Sequence, residues 1–64
     1  FGPDHPNVAI DVNNLGSVLR ALGDLDGARE AYERALAILQ QFLPADHPKI
    51  RIARENLDSL PDRP

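Results

Sequence analysis

Residues 13–36, NNLGSVLRALGDLDGAREAYERAL, place two amphipathic segments on either side of a short turn. In the first segment, apolar residues such as Leu15 and Leu19 recur at steps of three and four, which is the spacing of one face of an α-helix. Gly23 favours a helix stop, and Asp24 is a preferred N-cap residue for the helix that follows. This stretch therefore predicts two antiparallel helices joined by a tight turn.

The same signals extend over most of the chain and predict helices at 6–22, 25–42 and 48–60. The apolar faces expected to point inward are Val8, Val12, Leu15, Leu19 and Leu22 on the first helix, Ala28, Tyr32, Ala35, Leu39 and Phe42 on the second, and Ile50, Leu57 and Leu60 on the third. The alternating residues at 50–54 follow a proline inside a stronger helical pattern, so they do not indicate a strand. The predicted fold class is all-α.

Composition limits the size and the partners of this domain. A chain of 64 residues buries only about 60% of its unfolded surface. It has no cysteine, which excludes disulfides and thiolate zinc sites. A net charge of −3 argues against nucleic acid and anionic membranes as partners, and no apolar stretch is long enough to span a bilayer. Because no signal peptide or lipidation motif is visible, we expect a cytoplasmic location.

The tripeptide Asp-His-Pro occurs twice, at residues 4–6 and 46–48. A histidine beside a carboxylate suggests either a metal or proton-transfer site, or the start of a repeated structural unit. The offset of 42 also aligns Asn14 with Asn56 and Leu15 with Leu57. A period shared by many positions is typical of a helical repeat, in which equivalent residues lie one unit apart. We therefore predict a structural role for both motifs.

The spacing Val12-x2-Leu15-Gly16-x2-Leu19, followed by Ala28-x3-Tyr32 and then Ala35, follows the pattern W-x2-L-G-x2-Y…A-x3-F, and in this the chain resembles the tetratricopeptide repeat family. The matching residues, which form the structural repeat signature, are Val12, Leu15, Gly16, Leu19, Ala28, Tyr32 and Ala35. The 42-residue period is similar to the kinesin light chain type of this repeat. Val12 and Leu19 depart from the pattern, because the family places aromatic residues there.

The resemblance implies a fragment of an α–α superhelix, with one full helix pair at 3–43 and the first helix of a second repeat at 45–60. Small residues at Gly16 and Ala28 predict a close helix crossing, with Leu15, Leu19, Tyr32 and Ala35 filling the seam. Arg54 and Asp58 stand where Val12 and Gly16 stand one repeat earlier, so we expect the third helix to be a polar cap. Residues 61–64 are expected to form a disordered tail.

The first helix is expected to expose one apolar side, because no earlier segment of this chain covers it. Val8, Ile10 and Val18, beside Phe1, are the candidates for that side. Two interpretations follow. The chain is the C-terminal part of a longer array, or it associates with copies of itself through the first helix.

In the resembled family, the first helices of successive repeats line a groove that binds peptides. The corresponding residues are Ile10, Asn13, Asn14, Ser17, Arg20, Ile52, Glu55 and Asn56. An asparagine amide both donates and accepts hydrogen bonds, which suits recognition of a peptide backbone. The alternative is that the asparagines face water or bond within the repeat.

Enzymatic function is not expected, and we predict no catalytic residue, no cofactor and no metal. The segment at 24–27, DLDG, lacks the spacing of a calcium loop, and helix capping accounts for it. Ser17 has no histidine or acid at a helical neighbour position that would activate it. The predicted function is a protein–protein interaction scaffold that binds a peptide or protein partner, and the alternative is a self-assembly module.

Overall fold

The computed structural model describes residues 6–61 and contains three helices, α1 (Pro6–Ala21), α2 (Leu25–Phe42) and α3 (Pro48–Asp58). The predicted boundaries agree with these to within two residues, and the described residues contain no strand, so the all-α fold is confirmed. Within the same residues, no helix combines the length and apolar character needed to cross a membrane. Residues 62–64 of the predicted tail, and the predictions for Phe1, Asp4 and His5, lie outside the described range.

The turn between α1 and α2 is closed by hydrogen bonds on both sides. Gly23 has a φ of +88°, and its N–H donates to Arg20 O while the Asp24 N–H donates to Leu19 O, at 3.0 and 2.9 Å. This pair of bonds is a Schellman motif, which requires a residue that tolerates positive φ. On the far side, the Asp24 carboxylate accepts from Gly27 N at 3.0 Å and caps α2. The predicted helix stop and N-cap are both confirmed.

His47 begins α3 as its N-cap residue. Its Nδ1 atom accepts a hydrogen bond from the backbone N–H of Lys49 at 3.1 Å, and Pro48 occupies the first helical position. Proline is well suited to this position because the first N–H groups of a helix have no intrahelical partner. The second Asp-His-Pro motif therefore has the predicted structural role.

The core consists of two clusters of buried side chains that join all three helices. The first contains Ala9, Ile38, Leu39, Ile50 and Ala53, and the second contains Ala28, Tyr32 and Leu60 with Leu19 and Leu57 packed against it. α2 contributes to both clusters and packs against both of the other helices. The inward positions of Ile50 and Leu60 are confirmed, while the buried alanines at 9 and 53 were not predicted.

The close crossing of α1 and α2 lies where the small residues predicted it. Gly16 is buried under the ring of Tyr32, whose side chain is only 1% exposed, and Ala28 is fully buried beside it. Tyr32 and Ala35 fill the seam as expected, and Leu19 is half-buried.

Three apolar residues predicted to face inward do not. Leu15 is 52% exposed, Leu22 is 76% exposed and Phe42 is 50% exposed. α1 packs mainly against α2, and α3 also packs mainly against α2, so these three side chains lie outside the contacts among the described helices. Val8 was predicted to point inward and was also a candidate for the uncovered side. It is half-buried and packs on the first core cluster, so the inward prediction is confirmed.

Candidate functional site

α1 and α3 are joined along one side of the molecule by two side-chain hydrogen bonds. Asn56 Nδ2 donates to Asn13 Oδ1 at 3.1 Å, and Arg20 Nη1 donates to Ser59 Oγ at 3.1 Å. The residue numbers increase together along both helices from one bond to the other, so the two helices run in the same direction. The two bonds connect α1 and α3, which are equivalent helices of successive repeats, so that the two helices form one continuous surface.

Ser17 and Tyr32 extend this polar surface toward α2. Their hydroxyl oxygens lie 3.0 Å apart, and Ser17 Oγ also donates to the Asn13 carbonyl at 3.4 Å. The tyrosine ring is buried while its hydroxyl reaches this surface. A shallow depression here is lined by Ser17, Arg20, Ala21, Tyr32 and Asn56.

Four of the eight predicted groove residues therefore bond to other residues of this chain, which is the role that the alternative interpretation gave the asparagines. Each of them has hydrogen-bonding capacity left. The bond between Asn13 and Asn56 uses one acceptor and one donor, whereas each amide offers two donors and an acceptor with two lone pairs. A guanidinium has five N–H donors, of which the bond to Ser59 uses one.

The other four predicted residues are exposed. Ile10 is 46% exposed and Ile52 is 53% exposed, and these two isoleucines are separated by the 42-residue period. Asn14 and Glu55 are exposed on the same two helices. The predicted set thus combines apolar side chains open to solvent with amides that donate and accept hydrogen bonds.

A second shallow depression lies between α1 and α2 and is lined by Val12, Leu15, Leu19, Gly27, Glu30, Ala31 and Arg34. No residue of α3 lines it. Its α1 residues belong to the apolar face that the sequence predicted to be buried. This depression was therefore not predicted as an exposed surface.

Sequence reasoning missed Ser59 and Tyr32 as partners of the groove residues. A signal for Ser59 was present, because it lies 42 positions after Ser17. The bond between Ser17 and Tyr32 has no such signal, since it depends on how closely α1 approaches α2 at Gly16.

Comparison with known protein families finds a match to one family model. The family model for the tetratricopeptide repeat matches residues 1–41, which is more than half of the chain. No curated protein and no solved structure gives a significant match. The family generally mediates protein–protein interaction. The antiparallel helix pair, the Gly16–Tyr32 crossing and this match together show that the chain belongs to the tetratricopeptide repeat family.

Proposed function

We propose that the surface formed by α1 and α3 binds an extended peptide segment of a partner protein, without enzymatic activity. The observation that carries this proposal is the hydrogen bond between Asn13 and Asn56, because it holds two equivalent helices side by side as one surface. Exposed isoleucines at 10 and 52 offer apolar contacts to peptide side chains. The amides of Asn14 and Asn56 suit the peptide backbone, which presents both donors and acceptors.

We further propose that the repeat is of the kinesin light chain type and that the protein acts in the cytoplasm. The 42-residue period between the two Asp-His-Pro motifs supports the subtype, because it exceeds the 34 residues of the common repeat. The negative net charge supports a protein partner over a nucleic acid.

A random-peptide library displayed on phage and selected on the folded chain tests the groove. The selected peptides are synthesised and titrated against the parent chain, the double variant Ile10→Ser/Ile52→Ser, and Asn14→Ala. We expect at least about a tenfold weaker dissociation constant for the groove variants, equal to about 1.4 kcal/mol. Glu33→Ala, an exposed position of α2, is the control that should leave binding unchanged. Equal affinity for the parent and the double variant would contradict the proposal.

The second candidate function is self-association through α1. It is favoured by Ile10, Leu15 and Val18, which leave apolar surface of this helix between 46% and 54% exposed. Sedimentation equilibrium across a concentration series tests it. A dimer that dissociates on dilution supports self-association, and a cooperatively folded monomer at millimolar concentration excludes it.

A further inference from the structure

α2 and α3 begin with chemically different N-caps. The cap of α2 is the carboxylate of Asp24, whereas the cap of α3 is the imidazole of His47. Helices prefer serine, threonine, aspartate or asparagine at this position, and histidine is not among them. Asp46 stands directly before His47, yet the imidazole is the cap. The start of α3 therefore depends on a side chain that loses its acceptor atom when it binds a proton.

His47 caps the helix only while its Nδ1 atom is unprotonated. The backbone N–H of Lys49 donates to Nδ1 at 3.1 Å, so the neutral ring carries its hydrogen on Nε2. In the imidazolium both ring nitrogens are donors, and histidine changes charge between about pH 5 and 8. Protonation therefore removes the cap and places a positive charge at the N-terminus of a helix, where the helix dipole disfavours it.

The backbone around His47 does not replace the imidazole as an acceptor. Pro48, the first helical residue, has no N–H, and the N–H groups of Ile50 and Arg51 donate to the His47 carbonyl at 3.0 and 3.1 Å. A carbonyl oxygen has two lone pairs, so both are engaged. When the imidazole is protonated, the Lys49 N–H loses its partner within the first turn.

α3 is sensitive to the state of its first turn because it is short. It has 11 residues, and isolated helices shorter than about 12–15 residues are marginal in water. α3 is held mainly by α2, and Ile50, three residues after the cap, is fully buried in the first core cluster. Loss of the cap therefore loosens the turn that anchors α3 to α2.

We propose that His47 is a proton-sensitive cap, through which acidification loosens α3 from α2. Ile52 and Asn56, which give the α3 side of the candidate groove, lie on the helix that is loosened. Acidification then weakens the binding of a peptide in that groove. This last step rests on the peptide-binding function proposed above, whereas the effect of the cap on stability does not.

Few charged side chains of the described residues surround the start of α3. Its own segment carries Asp46, Lys49 and Arg51, all exposed. Residues 35–43 of α2 carry none, and Asp11, which is exposed, is the only one at 6–19 of α1. Side chains of these types change charge outside the range in which histidine titrates. The proton that His47 binds is therefore the charge change expected at this end of the molecule.

Urea denaturation at about pH 7.5 and 5.5 tests the cap, with the parent chain, His47→Asn and His47→Ala. Asparagine keeps an acceptor that does not titrate, and alanine has none at either pH. Because protonation removes a bond that exists only in the folded state, acidification should lower stability. The parent midpoint should match that of His47→Asn at the higher pH and fall to that of His47→Ala, or below, at the lower pH. The expected fall is about 0.5–1 M urea.

Two further measurements locate the effect. His5→Asn removes the other histidine of the chain and should keep the parent's pH-dependent shift. Amide hydrogen exchange at about pH 5.5 should be faster at Lys49, Ile50 and Arg51 in the parent than in His47→Asn. A peptide selected on the folded chain should bind the parent more weakly at the lower pH and should bind His47→Asn with little change.

Three results would overturn the proposal. One is a parent midpoint that falls no more than that of His47→Asn, and another is a shift that His5→Asn abolishes. The third, which removes only the link to the groove, is a peptide affinity that changes equally with pH in the parent and in His47→Asn. A chain that shows the midpoint shift but yields no binding peptide supports the cap and contradicts the proposed function instead.

Discussion

Gly16 lies directly against the ring of Tyr32, and a Cβ atom built on Gly16 would be 2.7 Å from Tyr32 Cε1 and 2.8 Å from Cδ1. These separations are too short for carbon atoms, and the ring is 1% exposed, so it has no room to move aside. The two helices approach this closely only because position 16 has no side chain.

Replacement of Gly16 by leucine should therefore be among the most destabilising single changes. Overpacking of a tight contact costs about 1–3 kcal/mol, and here it would force α1 away from α2. Chemical denaturation measures the loss. Asp58→Leu is the matched control, because Asp58 is the equivalent residue of α3 and is exposed. Losses of equal size would contradict both the steric explanation and the interpretation of α3 as a polar cap.

Loss of the Asp24 cap should weaken α2. The Asp24 carboxylate accepts from Gly27 N, and Asp24→Ala removes that acceptor from the start of the helix. We expect a loss of about 1 kcal/mol in the free energy of unfolding, measured by urea titration. Asp24→Asn keeps an acceptor oxygen and should retain most of the stability. If the asparagine variant were as unstable as the alanine variant, the stabilisation by Asp24 would not come from this hydrogen bond.

Gly23→Ala should also destabilise the turn, for a different reason. The φ of Gly23 is +88°, and a Cβ added there would meet no atom within 4 Å. The expected cost therefore comes only from the backbone conformation, at about 1–2 kcal/mol. Asparagine tolerates positive φ better than alanine, so Gly23→Asn should cost less. Thermal unfolding of both variants gives the comparison, and the reverse order would exclude backbone strain as the cause.

The bond between Asn13 and Asn56 should contribute a measurable coupling between α1 and α3. A double-mutant cycle with Asn13→Ala and Asn56→Ala isolates it, and we expect about 0.5–1.5 kcal/mol. A coupling energy of zero would mean that the two amides do not act on each other in solution. The exposed pair Asn14 and Glu55, on the same helices, provides the control cycle with no expected coupling.

The helices and their ends were predictable because their causes are local in sequence. Gly23, Asp24 and Pro48 each act on a backbone group within a few residues, so the sequence places the turn and the start of α3 correctly. The close crossing was also predictable, since only a residue as small as Gly16 lets two helices approach so closely.

Burial was less predictable because it depends on which neighbours are present. Leu15 and Leu22 share the periodicity of buried residues, yet the described helices leave them open. Conversely, Ala9 and Ala53 carry little hydrophobic signal and are buried because three helices meet around them. The periodicity of apolar residues identifies a helix face that is able to pack. Whether that face is buried depends on how many helices the tertiary structure places against it.

The residues of the candidate site could be predicted from the sequence, but the hydrogen bonds that join them could not. The 42-residue period identifies equivalent residues, such as Asn14 and Asn56, on successive helices. The bonds instead join different positions of the unit, as Arg20 does with Ser59. Such pairs depend on the offset with which α3 lies beside α1, and this offset has no counterpart in the sequence.

The link between Asn13 and Asn56 also has a kinetic consequence. Its partners are 43 residues apart, whereas α1 and α2 are joined by a short turn. Because contacts between nearby segments form with less loss of chain entropy, the α1–α2 hairpin should assemble before α3 docks. Asn13→Ala should then speed unfolding while leaving the folding rate nearly unchanged, a difference that stopped-flow kinetics resolves. The hydrogen bond between Asn13 and Asn56 would therefore determine the lifetime of the folded state through the unfolding rate, with little influence on the folding rate.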